Sequence, residues 1–73
     1  MTVAEIKDKF RIELYDFGQK MTSNQKMQVA LNLDIAFLTV QRYQSGKKEE
    51  VRNIELAEVL ILECKKVTQS VTV

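Results

Sequence analysis

Apolar side chains recur along this chain at helical spacing. Val3, Ile6, Phe10, Leu14 and Phe17 fall every three or four residues, the period that lines up one face of an α-helix. Thr2 followed by Glu5 is a capping-box pair at its start, and Gly18 offers a left-handed stop, so a first helix is predicted to end near Gly18. Thr22, Ser23 and Asn24 are each good caps for a second helix over about residues 25–33. From that helix Val29, Ala30 and Leu33 face inward, Ile35 plugs the following turn, and a third helix over about residues 36–44 turns Val40 and Tyr43 inward. Gly46 ends the third helix, residues 47–52 read as an exposed loop or single turn, and Asn53 caps a last helix over about residues 54–66. Its final lysines complement the helix dipole.

The last helix carries more apolar surface than one buried face needs. Ile54, Ala57, Leu60, Ile61 and Cys64 make a stripe, and Leu56, Val59 and Leu62 extend it round the cylinder, which suits a helix sunk in the fold or a subunit interface. The tail, residues 67–73, is β-branched and alternates apolar with polar side chains, which suits a short strand or a frayed, disordered end. Proline is absent and glycine occurs only at 18 and 46. The expected fold is therefore all-α, with residues 1–66 as one domain and the tail outside it.

Residues 26–46 place small and apolar side chains where two short helices crossing steeply need them. Ala30 allows the close approach, and Leu33 and Ile35 bury on either side of a sharp turn at Asp34. That is the layout of a helix-turn-helix, whose second helix can enter the major groove of DNA. Sequence-specific binding of double-stranded DNA is the leading expectation.

Composition narrows the alternatives. Seventy-three residues allow one domain, whose core must be compact or shared with another copy. Cys64 is the single cysteine and histidine is absent, so an intramolecular disulfide, the usual zinc sets and histidine-based catalysis are all excluded. No residues supply a nucleophile with its base, a phosphate loop or a metal site, so neither an enzyme nor a cofactor is expected. The apolar run at residues 59–62 is far short of a bilayer span, and Glu5, Lys7 and Asp8 stand where a secretory signal would be apolar, so a cytoplasmic protein without membrane contact is expected.

The net charge of +1 argues for no partner, but its distribution does. Between residues 20 and 48, Lys20, Lys26, Arg42, Lys47 and Lys48 oppose Asp34 alone, a local charge of +4, while six basic and nine acidic residues elsewhere give −3. A positive centre between acidic flanks suits a small DNA reader, because phosphate neutralisation supplies most non-specific affinity.

Ala30, Leu33, Ile35, Thr39, Val40, Arg42, Tyr43 and Gly46 follow a series of alanine, leucine, turn, aliphatic, threonine-aliphatic, arginine-aromatic and terminal glycine. In this the segment resembles the helix-turn-helix of the Cro/phage-repressor-like family of the xenobiotic-response-element type, over about residues 25–62. The resemblance implies a lambda-repressor-like fold of four or five helices, and a homodimer on a near-palindromic operator that represses or otherwise regulates transcription. The small size and lack of a ligand domain resemble regulators encoded by phages or mobile elements. Three positions differ from the family pattern. Asp34 stands where glycine is usual, Ala36 replaces a serine that caps the recognition helix and touches phosphate, and Phe37 and Leu38 replace polar, base-facing residues.

Gln41 and Arg42 are the best base readers, since glutamine pairs two-fold with adenine and arginine with guanine. Phe37 and Leu38 are expected against thymine methyls, with a protein-binding patch or inward packing on the first helix as the other readings. Thr39, Gln44 and Ser45 are candidates for base or backbone contact. Lys26 should meet phosphate near the positive end of the second helix, with Gln25 a lesser candidate for the same role. Lys47 and Lys48 lie where a loop can rest on the backbone. Glu49 and Glu50 are expected to face solvent, and Cys64 to be a buried small hydrophobe. The alternative function is a protein-interaction module, an adaptor or antirepressor, using Phe37, Leu38 and the last helix.

Overall fold

Side-chain caps set where the helices begin. In the computed structural model, which describes residues 2–69, the order is α1 Val3–Lys20, α2 Ser23–Leu33, α3 Phe37–Tyr43, a 3-10 turn Lys48–Glu50 and α4 Ile54–Gln69. The described residues are thus all-helical, with four α-helices and no strand. Thr2 opens α1 by accepting the Glu5 amide on its hydroxyl at 3.2 Å. Thr22, rather than Ser23 or Asn24, opens α2 with a complete capping box: its hydroxyl takes the Gln25 amide at 3.2 Å and its own amide donates to Gln25 Oε1 at 2.9 Å. That box brings the start of α2 forward to Ser23. Asn53 opens α4, its Oδ1 accepting the Leu56 amide at 3.1 Å. Ala36 leaves α3 without a side-chain cap.

The helix ends differ from expectation in two places. Gly18 does not stop α1, which continues to Lys20. A Cβ there would lie 3.0 Å from Gln44 Cβ and 3.2 Å from Gln44 carbonyl oxygen, so this glycine makes room for the chain that follows α3. Likewise α4 continues through Val67 to Gln69 in place of a strand or frayed end, while residues 70–73 of the expected tail lie outside the described residues. Helical hydrogen bonding already established in α4 extends one residue at a time at little cost, and that outweighs the weak strand preference of Val67 and Thr68.

The core draws on every helix. Leu14 from α1, Val29 and Ala30 from α2, Val40 and Tyr43 from α3, and Ala57, Leu60, Ile61 and Cys64 from α4 are buried, joined by Met21 and Val51 from the connections. Helix α4 packs against both α1 and α2, so its inner stripe is the centre of the fold. Burying a leucine, valine or isoleucine contributes about 1.5–3 kcal/mol, which places most of the stability in these positions. The stripe of α1 is shallower than its periodicity suggests. Only Leu14 is fully buried, Phe10 and Phe17 lie partly covered against the core, and Val3 is exposed. Leu56, expected to widen the outer surface of α4, instead packs partly against the core, whereas Val59 and Leu62 remain outside.

Candidate nucleic-acid interface

Helix α3 is held at both ends. At its start, Asp34 adopts a left-handed conformation (φ 55°, ψ 48°) that ends α2, with its amide on Leu31 carbonyl and the Ile35 amide on Ala30 carbonyl at 3.0 Å. This paired closure reverses the chain within residues 34–36. At its end, the Tyr43 hydroxyl accepts the Asn53 amide at 3.1 Å, tying α3 to the start of α4. Beyond it Gly46 turns at φ 84°, packed so closely on Tyr15 that a Cβ would come within 2.8 Å of the ring. Arg11 donates to Gly46 carbonyl at 3.1 Å while its guanidinium also grips Asp8 at 2.7 Å.

With Val40 and Tyr43 turned inward, the opposite side of α3 faces solvent. Leu38, Gln41 and Arg42 recur at three and four residues from the first, the spacing of one helix face, and they are exposed, as is Ser45 two residues beyond the end of the helix. Gln41, Arg42, Ser45 and Lys47 line one shallow depression together with Glu50. Ser45 fixes the exit of the helix, its hydroxyl donating to Arg42 carbonyl at 2.7 Å and accepting the Lys47 amide at 3.3 Å.

The other expected contacts are scattered. Phe37 and Leu38 part company: Phe37 is partly buried against the core, whereas Leu38 is 53% exposed. Thr39 and Lys26 are half-buried, Lys26 in the first turn of α2. Gln25 has committed its amide oxygen to the Thr22 cap, which leaves only its amide nitrogen for an outside partner. Lys47 and Lys48 do not act as a pair. Lys47 borders the α3 depression, while Lys48 leans toward α1, with its Nζ 3.9 Å from Asp8 Oδ1. The hydrogen bond from Arg11 holds the Asp8 carboxyl below its usual range; desolvation opposes it, and the charges of Arg11 and then Lys48 add lesser help.

Gln44 is a correction: it is 5% exposed and takes no part in the surface. Its Nε2 lies 3.6 Å from Met21 Sδ and 3.5 Å from Cys64 Sγ, and its Oε1 is buried without a hydrogen-bond partner. The physical reason is the helical period, which turns Gln44 toward the Gly18 gap beside the buried Val40 and Tyr43. Cys64 is buried as expected, and burial pushes its thiol up to about 11 although the Gln44 contact pulls the other way.

Sequence reasoning missed Arg11, Asp8 and Glu50. The Asp8–Arg11 pair was visible as a charge pair three residues apart, but nothing local announces a carbonyl thirty-five residues away as its second partner. Glu50, expected to face solvent like Glu49, is half-buried instead, because the 3-10 turn carries it to the depression beside Lys47.

Among the described residues, no three histidine, cysteine, aspartate or glutamate side chains are grouped to hold a metal ion, and no helix is long and apolar enough to cross a membrane. The sequence matches no family model, and comparison with curated proteins and with solved structures finds no match.

Proposed function

We propose that this protein is a sequence-specific binder of double-stranded DNA that regulates transcription from the cytoplasm, by occupying an operator as a homodimer and without catalysing a reaction. In this reading α2 and α3 form a helix-turn-helix, with α3 entering the major groove. The observation that carries it is the outward face of α3, where Gln41 and Arg42 stand side by side with Ser45 and Lys47 around one depression. Gln41 and Arg42 read base edges, while Lys47 and Lys26 neutralise phosphates and set the register. Leu38 adds apolar contact, suited to thymine methyls. The anchoring of α3 by Tyr43, Gly46 and Arg11 supports the reading, because a reading helix must hold its side chains to within a fraction of an ångström.

The test is selection of the full chain on random duplexes, followed by affinity for the selected and scrambled sequences at several salt concentrations. A preferred sequence and a linear fall of log affinity with log salt are expected. Absent binding, or binding indifferent to salt, overturns the reading. That result would favour an adaptor or antirepressor on the same fold, for which the exposed Leu31 and Leu38 are the supporting observation.

A further inference from the structure

The outer side of α4 carries a second pattern. Glu55, Glu58, Val59, Leu62, Lys65 and Lys66 recur at three and four residues, and all six are exposed. They form one stripe along the helix, opposite Ala57, Leu60, Ile61 and Cys64 in the core. Its two acids lie in the first half, its two lysines in the second, and Val59 and Leu62, 42% and 52% exposed, stand between them. The helix dipole accounts for acids first and bases last. It does not account for two aliphatic side chains in water at the middle.

We propose that this stripe is the surface on which a second copy of the chain docks, α4 against α4 in antiparallel orientation about a two-fold axis. The inference deepens the homodimer reading above and rests on it for its biological use. The support is self-complementarity. The midpoint between Glu55 and Lys66 is also the midpoint between Val59 and Leu62, so a two-fold axis there brings Val59 of one copy to Leu62 of the other. The same axis brings Glu55 of each copy to Lys66 of its partner. Glu58 and Lys65 do not share that midpoint: each stands about two residues, roughly 3 Å along the helix, out of step with the other across the axis, and Lys65 also borders Glu13 and Asp16 of α1. A parallel pair would set glutamate against glutamate and lysine against lysine. Antiparallel pairing therefore specifies its partner by attraction and excludes the alternative by repulsion. Glu63 stays out of the contact, because it is turned toward α2 and accepts the Asn32 amide at 3.0 Å.

Sedimentation equilibrium of the full chain without DNA tests the association. A reversible dimer is expected, with Leu62→Glu weakening it about tenfold or more while leaving the helical circular dichroism intact. The reversal Glu55→Lys should also weaken it. Combining that reversal with Lys66→Glu should restore the dimer, which a merely structural loss would not allow. Orientation is tested by mixing Glu55→Cys with Lys66→Cys chains under oxidising conditions. The mixed disulfide should dominate, and predominance of the two symmetric disulfides overturns the antiparallel arrangement. A wild-type chain that stays monomeric at high micromolar concentration overturns the proposal and leaves the stripe to a different protein. Because these measurements use no DNA, their failure is distinct from failure of DNA reading. A monomer that still binds one half-site would keep the reading helix and lose only the interface.

Discussion

Two residues in unusual surroundings give opposite expectations for substitutions toward or away from glycine. Asp34 holds φ 55° at the α2–α3 turn, a conformation that costs most side chains about 1–2 kcal/mol and aspartate less. Asp34→Gly should therefore stabilise the fold by roughly 0.5–1 kcal/mol, read as a raised urea midpoint. Gly18→Ala should do the reverse. An alanine inside a helix normally gains about 1 kcal/mol over glycine. Here its Cβ would meet Gln44 Cβ at 3.0 Å and a backbone oxygen at 3.2 Å, and displacing backbone should cost about 1–3 kcal/mol. A Gly18→Ala variant as stable as wild type would show that the Gln44 segment yields freely. On the outward face of α3, Arg42→Ala and Gln41→Ala should each weaken binding to the selected duplex by about 1–3 kcal/mol while sparing scrambled DNA. Lys47→Ala should weaken both equally and flatten the salt dependence. Equal losses on the two duplexes for Arg42→Ala would make Arg42 a backbone contact.

Among the elements, α3 has the least local support. It is seven residues long and begins at Ala36 without a side-chain hydrogen bond, while α2 and α4 begin on Thr22 and Asn53. So short a helix is not stable alone, and its geometry depends on Val40 and Tyr43 in the core and on the anchor at Gly46. Ala36→Ser supplies the missing cap. Thermal melting should show a gain of about 0.5–1 kcal/mol. DNA affinity should rise on every sequence, because a serine hydroxyl at the start of this helix can also donate to a phosphate. A gain in stability with no change in affinity would place the start of α3 away from the DNA backbone.

For the molecule as a whole, the buried Cys64 links stability to alkaline pH. Its pKa is about 11 in the fold, against 9.0 for the free thiol, so between these values the unfolded chain loses a proton that the native protein keeps. The stabilisation is complete below pH 9 and declines as pH rises toward 11. Denaturation midpoints measured across this range should fall more steeply for wild type than for Cys64→Ala. Parallel curves would mean that Cys64 ionises in the fold as readily as in the open chain. Burial also predicts that thiol reagents modify Cys64 only as fast as the core opens, which hydrogen exchange at Leu60 and Ile61 would time independently.

The sequence by itself determined the existence and approximate bounds of the four helices and the inward positions Val29, Ala30, Val40, Tyr43, Ala57, Leu60 and Ile61. It also determined that the chain turns at Asp34 and Gly46 and that Thr2 and Asn53 cap their helices, while leaving the second cap open among Thr22, Ser23 and Asn24. These are local matters, fixed by side-chain period and by hydrogen bonds between residues three or four apart. Only the tertiary structure decided that Gly18 is a clearance and not a stop, that Gln44 is buried, and that Phe37 turns partly inward while Leu38 does not. It alone decided that Lys47 and Lys48 diverge, that Arg11 holds Gly46, and which apolar residues of α4 remain uncovered. Each of these depends on which distant segment packs against the position, and the periodicity of a helix specifies a face without specifying its neighbour.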